Sequence, residues 1–123
     1  MTRTSTSTFR VRYGETDQMG VAYHANYLVW CEIGRTDLMR AMDASYAGLE
    51  QEGIRLAVAE ASLRYGAPAR YDDEVAVETR LESVRSRFVT FSYRILLERP
   101  AGPGTPGTLL ATATTVLVSI DTS

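Results

Sequence analysis

The strongest constraint on how this chain can fold is a single change of hydrophobic period. Between Asn26 and about Met42, the residues Tyr27, Cys31, Gly34, Leu38 and Met42 recur at steps of three and four, which places them on one face of a long helix. Beyond Ile54 the period becomes two. Val75, Val77, Thr79 and Leu81 alternate with charged partners, and Phe91, Tyr93, Ile95 and Leu97 repeat the pattern within Phe88–Leu97. Ile54–Tyr65 and Thr108–Asp121 are further β-prone runs, and ahead of the helix Phe9, Val11 and Tyr13 alternate with Arg10 and Arg12. A strand, one long helix and then a run of strands defines an α+β layer structure, with the helix on one face of an antiparallel sheet. Gly34 costs about 1 kcal/mol against alanine inside a helix, a cost that close packing on the sheet at that point would explain.

Breaks in the pattern set the boundaries. Residues 1–7 are small and polar and read as a frayed tail, so one domain is expected over residues 8–123. Ser45 can cap a short helical turn through Glu52, closed by Gly53 in the left-handed conformation. Gly66 and Pro68 end the following strand before a turn at Tyr71–Asp73, and the Gly- and Pro-rich residues 99–107 make a flexible turn. A small sheet with an uncovered face and an open edge resolves both by self-association, so a homo-oligomer is expected.

Composition removes several function classes. The formal net charge of -2 supplies no basic field for nucleic acid. All thirteen cationic residues are arginine, so no lysine nucleophile or Schiff base exists. Cys31 is the sole cysteine, which excludes a disulfide within one chain and a cysteine-built zinc site; neither metal nor cofactor is expected. No apolar run reaches the length of a signal core or a membrane span, and a cytoplasmic location is the corresponding expectation. Walker-type phosphate loops, dinucleotide fingerprints and G-X-S-X-G elbows do not occur, which sets aside kinase, dehydrogenase and serine-hydrolase readings.

The chemistry-bearing residues concentrate in YGETDQMGVAYHANY, residues 13–27, immediately before the helix. The unpaired N–H groups of a first helical turn carry partial positive charge and can stabilise an oxyanion. Asp17 can face such a site, or it can simply bond its own turn, the commoner fate of Asp in a Thr-Asp-X-X-Gly loop. His24 can position water or a carbonyl, or act as a cap or packing residue. Asn26 is a natural N-cap by residue type. Glu60, inside an apolar strand, faces solvent, pairs with an arginine or enters a site. Arg85 and Arg87, between two strands, are turn charges or forks for a phosphorylated ligand.

At these residues the sequence resembles the hydroxybenzoyl-CoA thioesterase and YbgC-like acyl-CoA thioesterase branch of the hotdog superfamily. The resemblance rests on RVRYGETDQMGVAYHANYLVWCEIGR, on RYGAPARYDDEVAVETRL and on the closing TVLVSID, and so covers nearly the whole chain. Two positions depart from the usual pattern: Ala22 replaces a larger β-branched residue, and Glu15 stands where a second Asp is frequent. The resemblance implies a hotdog fold, a curved antiparallel five-stranded sheet wrapped around one long helix, in dimers or dimers of dimers with active sites shared between subunits. It implies hydrolysis of an acyl-CoA thioester, with Asp17 as general base or nucleophile and the backbone N–H at His24 polarising the carbonyl. Tyr23, Asn26, Tyr27, Glu60, Arg85 and Arg87 form the expected substrate-contacting set, the two arginines meeting CoA phosphates and Tyr27, Trp30 and Val58 shaping the acyl pocket. An aliphatic acyl group is favoured over an aromatic one, and an acyl-carrier-protein thioester is the alternative donor. The competing functions are a hotdog hydratase or dehydratase built on an Asp–His dyad and a non-catalytic dimer that binds an acyl group or a protein.

Overall fold

A computed structural model describes residues 3–42, 48, 51 and 53–121. The elements follow in the order β1 (Thr4–Arg10), α1 (Asn26–Ala41), β2 (Ile54–Tyr65), β3 (Glu74–Arg85), β4 (Phe88–Arg99) and β5 (Leu109–Asp121), with a 3-10 turn at Tyr13–Glu15 between β1 and α1. The strands form one antiparallel sheet in the spatial order β1-β3-β4-β5-β2, which leaves β1 and β2 at its edges. The helix lies across one face, against β1 and β3 and reaching β4. Among the described residues no helix is long and apolar enough to cross a membrane.

The two periods read from the sequence meet in the core. Tyr27, Trp30, Cys31, Leu38 and Met39 of α1 are buried against Val75, Val77 and Leu81 of β3, Phe91, Tyr93 and Ile95 of β4 and Ala111, Ala113 and Leu117 of β5. Each large apolar side chain taken out of water contributes about 1.5–3 kcal/mol. At Gly34 the helix lies tightly on the sheet. A Cβ there would overlap Thr79 Oγ1 and lie 2.9 Å from Val77 Cγ1, so the absent side chain is what allows the approach.

The first strand corrects the reading of the N-terminus. Thr4–Ser7, taken from sequence as part of a frayed tail, pair with β3 from Thr4 opposite Arg80 onward. Serine and threonine suit an edge strand with one face outward, and two side-chain contacts fix it. The Ser7 hydroxyl donates to Asp37 Oδ2 on α1 at 2.6 Å, and the Arg3 guanidinium donates to the Leu81 carbonyl at 3.0 Å. The alternation through Phe9 and Val11 holds, but Tyr13 has left the sheet for the 3-10 turn and is exposed. The short turn expected over Ser45–Glu52 falls largely outside the described residues; Gly53, which follows it, has φ +81°.

Candidate active site

Between β1 and α1 the chain makes a small hairpin that carries Asp17 at its tip. Thr16 and Ala22 bridge its two arms, the Asp17 N–H donates to the Val21 carbonyl at 2.9 Å, and the Gly20 N–H donates to the Asp17 carbonyl at 3.0 Å. Gly20 sits at φ +80°, a conformation that costs glycine little and other residues more. A second segment holds the hairpin from below: Val21 bridges Arg70, and the Ala22 N–H donates to the Ala69 carbonyl at 2.8 Å. The buried Asp73 braces that segment, one carboxylate oxygen accepting from the Arg70 N–H and the other from the Ala101 N–H.

Asp17 itself is exposed and lines an open cleft with Tyr13, Gly14, Thr16 and Gln18. The Met19 N–H donates to its Oδ1 at 2.8 Å, so the turn-bonding reading of this aspartate is correct. One oxygen is held by the backbone; no described residue engages the other. The carboxylate is therefore oriented without being consumed.

The helix start lies beside the hairpin. Ala25 is the N-cap, and the Asn26, Tyr27 and Leu28 N–H groups donate to the Tyr23, His24 and Ala25 carbonyls. The N–H groups of His24 and Ala25 have no partner among the described residues, and both residues are exposed. They are the donors this helix end offers to an anion. The His24 ring stands against Tyr23, with centroids 4.3 Å apart, and edge-on to Tyr65 at 6.3 Å.

Two residue roles read from the sequence change here. Asn26 is not the N-cap. It is the first helical residue, and its side-chain amide donates to the Glu15 carbonyl at 2.8 Å, tying the helix to the preceding loop. Tyr27 is buried, its hydroxyl accepting from the Ala69 N–H, and Trp30 is buried beside it, so in this conformation both are core residues rather than pocket walls. Three partners went unrecognised. Tyr65, the last residue of β2, donates its hydroxyl to the His24 carbonyl at 3.1 Å; its position just before Gly66 and Pro68 was the available signal. Glu15 and Trp30 are joined by a hydrogen bond of 3.0 Å, and the acid three residues after Arg12 in capping-box spacing was the clue to the first of them.

Asp17, Tyr23, His24, Asn26 and Tyr27 are thus gathered at one end of the molecule, while Glu60, Arg85 and Arg87 lie elsewhere. Glu60 is exposed at a bulge on edge strand β2. Arg85 ends β3 and Arg87 follows Ser86, which has φ +55°, in the β3–β4 turn; both arginines are exposed. Strand β3 starts beside the Asp17 end and runs 12 residues to Arg85, about 35 Å of extended chain. The two arginines therefore stand at the opposite end of β3 from the Asp17 hairpin.

The only thiol does not compete for the role of nucleophile. Burial pushes the Cys31 thiol up to about 12, against the opposing pull of Arg35, which keeps it protonated at neutral pH. No three His, Cys, Asp or Glu side chains converge among the described residues, so the site consists of a carboxylate, free N–H groups and aromatic rings.

A five-stranded antiparallel sheet laid on one long helix is the hotdog fold, and it matches that of solved thioesterases. The chain belongs to the thioesterase-like superfamily, whose family profile matches residues 11–123. Among its relatives, the acyl-CoA thioester hydrolase YbgC of Escherichia coli is 34% identical over 112 residues, which cover 91% of this chain and 78% of that protein. YneP of Bacillus subtilis is 40% identical over 92 residues, 75% of this chain and 65% of YneP. The DHNA-CoA thioesterase of Staphylococcus aureus superposes with a TM-score of 0.87 at 32% identity, covering 98% of this chain and 76% of that one.

Proposed function

We propose that this chain hydrolyses an acyl-CoA thioester to the free acid and CoA, with Asp17 as general base and the helix start as the oxyanion site. The observation that carries the reading is the Asp17 carboxylate, anchored through one oxygen to the Met19 N–H and open at the other. Asp17 removes a proton from water as the water oxygen attacks the thioester carbon. The His24 and Ala25 N–H groups receive the negative charge that develops on the carbonyl oxygen. When the C–S bond breaks, the protonated Asp17 returns the proton to the departing CoA thiolate. The one free oxygen would serve a general base or a nucleophile alike, and the base reading is preferred because it needs no covalent intermediate.

The working unit in this reading is a dimer joined at β2. Among the described strands β2 pairs with β5 alone, and its other edge runs beside exposed Val58 and the exposed helix residues Leu28, Val29 and Ile33. A two-fold pairing of β2 with its own copy is antiparallel, so each strand's start lies beside the other's end. The start of β2, Ile54, shares an apolar cavity with Arg87; its end, Tyr65, bonds the His24 carbonyl. Such a dimer carries the partner's Arg85 and Arg87 toward the Asp17 end, where their guanidinium groups can meet CoA phosphates. The acyl group, aliphatic by preference, occupies the groove of about 260 Å³ between α1 and β2, whose walls include Leu28, Val29, Val58 and Ala61. A cytoplasmic setting suits a chain whose one cysteine is an unpaired buried thiol.

The test is release of free thiol from short, medium, long and aryl acyl-CoAs and from an acyl-carrier-protein thioester, by wild type and Asp17→Asn. Turnover lost in a folded Asp17→Asn protein supports the assignment, and the panel identifies the acyl class. Activity that survives the substitution removes Asp17 from the mechanism, and binding without turnover by wild type would favour a non-catalytic dimer.

A further inference from the structure

Glu15 is an acid with almost no access to water: the residue is 6% exposed. Its two carboxylate oxygens are used separately. Oε1 accepts from the Arg12 N–H at 2.8 Å, and Oε2 accepts from the Trp30 indole N–H at 3.0 Å and more weakly from the Arg12 guanidinium at 3.5 Å. The backbone carbonyl of the same residue accepts two further bonds from the start of the helix, from the Tyr23 N–H at 2.7 Å and the Asn26 side-chain amide at 2.8 Å. Burial alone would push the Glu15 carboxyl up; the Arg12 N–H, the Trp30 indole and the Arg12 guanidinium outweigh it and hold the carboxyl below its ordinary range. The group is an anion at neutral pH, and both neighbours that face its oxygens are donors.

The location of these bonds gives them meaning. Glu15 precedes Asp17 by two residues, and it is bonded to Tyr23, the residue before His24. A single side chain and its own carbonyl therefore join the segment that presents the carboxylate to the segment that presents the free N–H groups. Trp30, one turn into α1 and fully buried, gives that junction a rigid base.

We propose that Glu15 is a positioning residue of the hydrolase: its buried carboxylate, clamped between the Arg12 N–H and the Trp30 indole, sets the Asp17 hairpin against the His24 end of the helix. This rests on the thioesterase reading given above and extends it to a residue that need not touch substrate. Glutamine cannot substitute, although its shape is nearly the same. It offers one acceptor oxygen and one NH2 group, so one of the two donors must face another donor. Displacement of a reacting group by about 1 Å is enough to cost on the order of 100-fold in rate.

The experiment measures kcat and KM for thioester hydrolysis by wild type, Glu15→Gln and Trp30→Phe, with the thermal midpoint of each. Because Trp30 is the only tryptophan, its emission also reports the Glu15 contact without substrate. The expected result is a kcat lowered by roughly 10- to 100-fold in both variants with KM within about twofold of wild type, in proteins that still unfold cooperatively, and a changed Trp30 emission in Glu15→Gln. A kcat retained in both variants, or a loss confined to KM, overturns the proposal. If Glu15→Gln does not fold, Trp30→Phe decides by the same criteria, since it keeps an aromatic ring and deletes the N–H. An active wild type with unimpaired variants removes this inference alone; a wild type that hydrolyses nothing removes the thioesterase reading and this inference with it.

Discussion

The two halves of α1 share the core but are held in place by different balances of hydrogen bonding and packing. Its first turns are tied by directional bonds: Asn26 to the Glu15 carbonyl, Trp30 to the Glu15 carboxylate, and the His24 carbonyl to the Tyr65 hydroxyl. Its second half rests mainly on shape, with Gly34 pressed on Thr79 and Val77 and with Leu38 and Met39 buried in the core, and the Ser7 hydroxyl on Asp37 ties it to β1. Hydrogen bonds fix angles, and a reacting carboxylate needs them; apolar contact is tolerant of angle but intolerant of volume. One element can thus serve as a scaffold at one end and as part of a site at the other.

The sharpest way to break this comparison is to show that the two halves fail in the same manner. Asp17→Asn should lower kcat/KM for the preferred acyl-CoA by about 100- to 10,000-fold, as expected for loss of a general base, and leave the urea midpoint nearly unchanged. Gly34→Ala should do the reverse. Overpacking at the helix–sheet contact should cost about 1–3 kcal/mol in urea unfolding, with the kcat of the folded fraction retained. If Gly34→Ala proves neutral, the close approach at Thr79 is not what seats the helix.

Smaller effects sharpen the contrast. Replacing Arg85 and Arg87 together with alanine should raise KM for CoA thioesters about tenfold, consistent with loss of two exposed, salt-screened ion pairs of roughly 0.2–1 kcal/mol each, and should weaken the salt dependence of KM. An unchanged KM would mean that the far end of the sheet contributes nothing to the partner's site. Acid should expose the hydrogen-bonded half. Since the Glu15 carboxyl is held below its ordinary 4.5, its stabilising contribution is present above that pH and is lost as pH falls through the lower folded value; acid titration of unfolding free energy should be shallower in Glu15→Gln. Thr79→Val should have the smallest effect, unchanged stability or a gain of about 1 kcal/mol in thermal unfolding, because the buried Thr79 hydroxyl has no hydrogen-bond partner among the described residues.

What the sequence made legible follows from period and residue type. The helix over Asn26–Ala41 agrees with the reading from hydrophobic spacing, and the limits of β2 at Ile54 and Tyr65 with the Gly53, Gly66 and Pro68 breaks around it; both signals lie along the chain, although none of the β2 residues is buried within one chain. The start of edge strand β1 is not legible in the sequence because Thr4–Ser7 have no apolar signal of their own; their order comes from β3 and from Asp37, both distant in sequence. Asp17 stood out by its loop, whereas Glu15 registered only as a departure from a family pattern, since its significance depends on Trp30.

The amino-acid sequence by itself determined which segments alternate, where the one long helix runs, that no lysine or second cysteine is available, and that a carboxylate loop precedes the helix. Those properties depend on neighbours along the chain. Tertiary structure alone decided that one Asp17 oxygen is bound and the other open, that Asn26 bonds a loop instead of capping the helix, that Tyr27 is core, and that Arg85 and Arg87 stand at the far end of the sheet. Each of these depends on which groups from separate segments come within hydrogen-bonding or packing distance, and that is set by the antiparallel register of β3, β4 and β5 and the seat of α1 upon them.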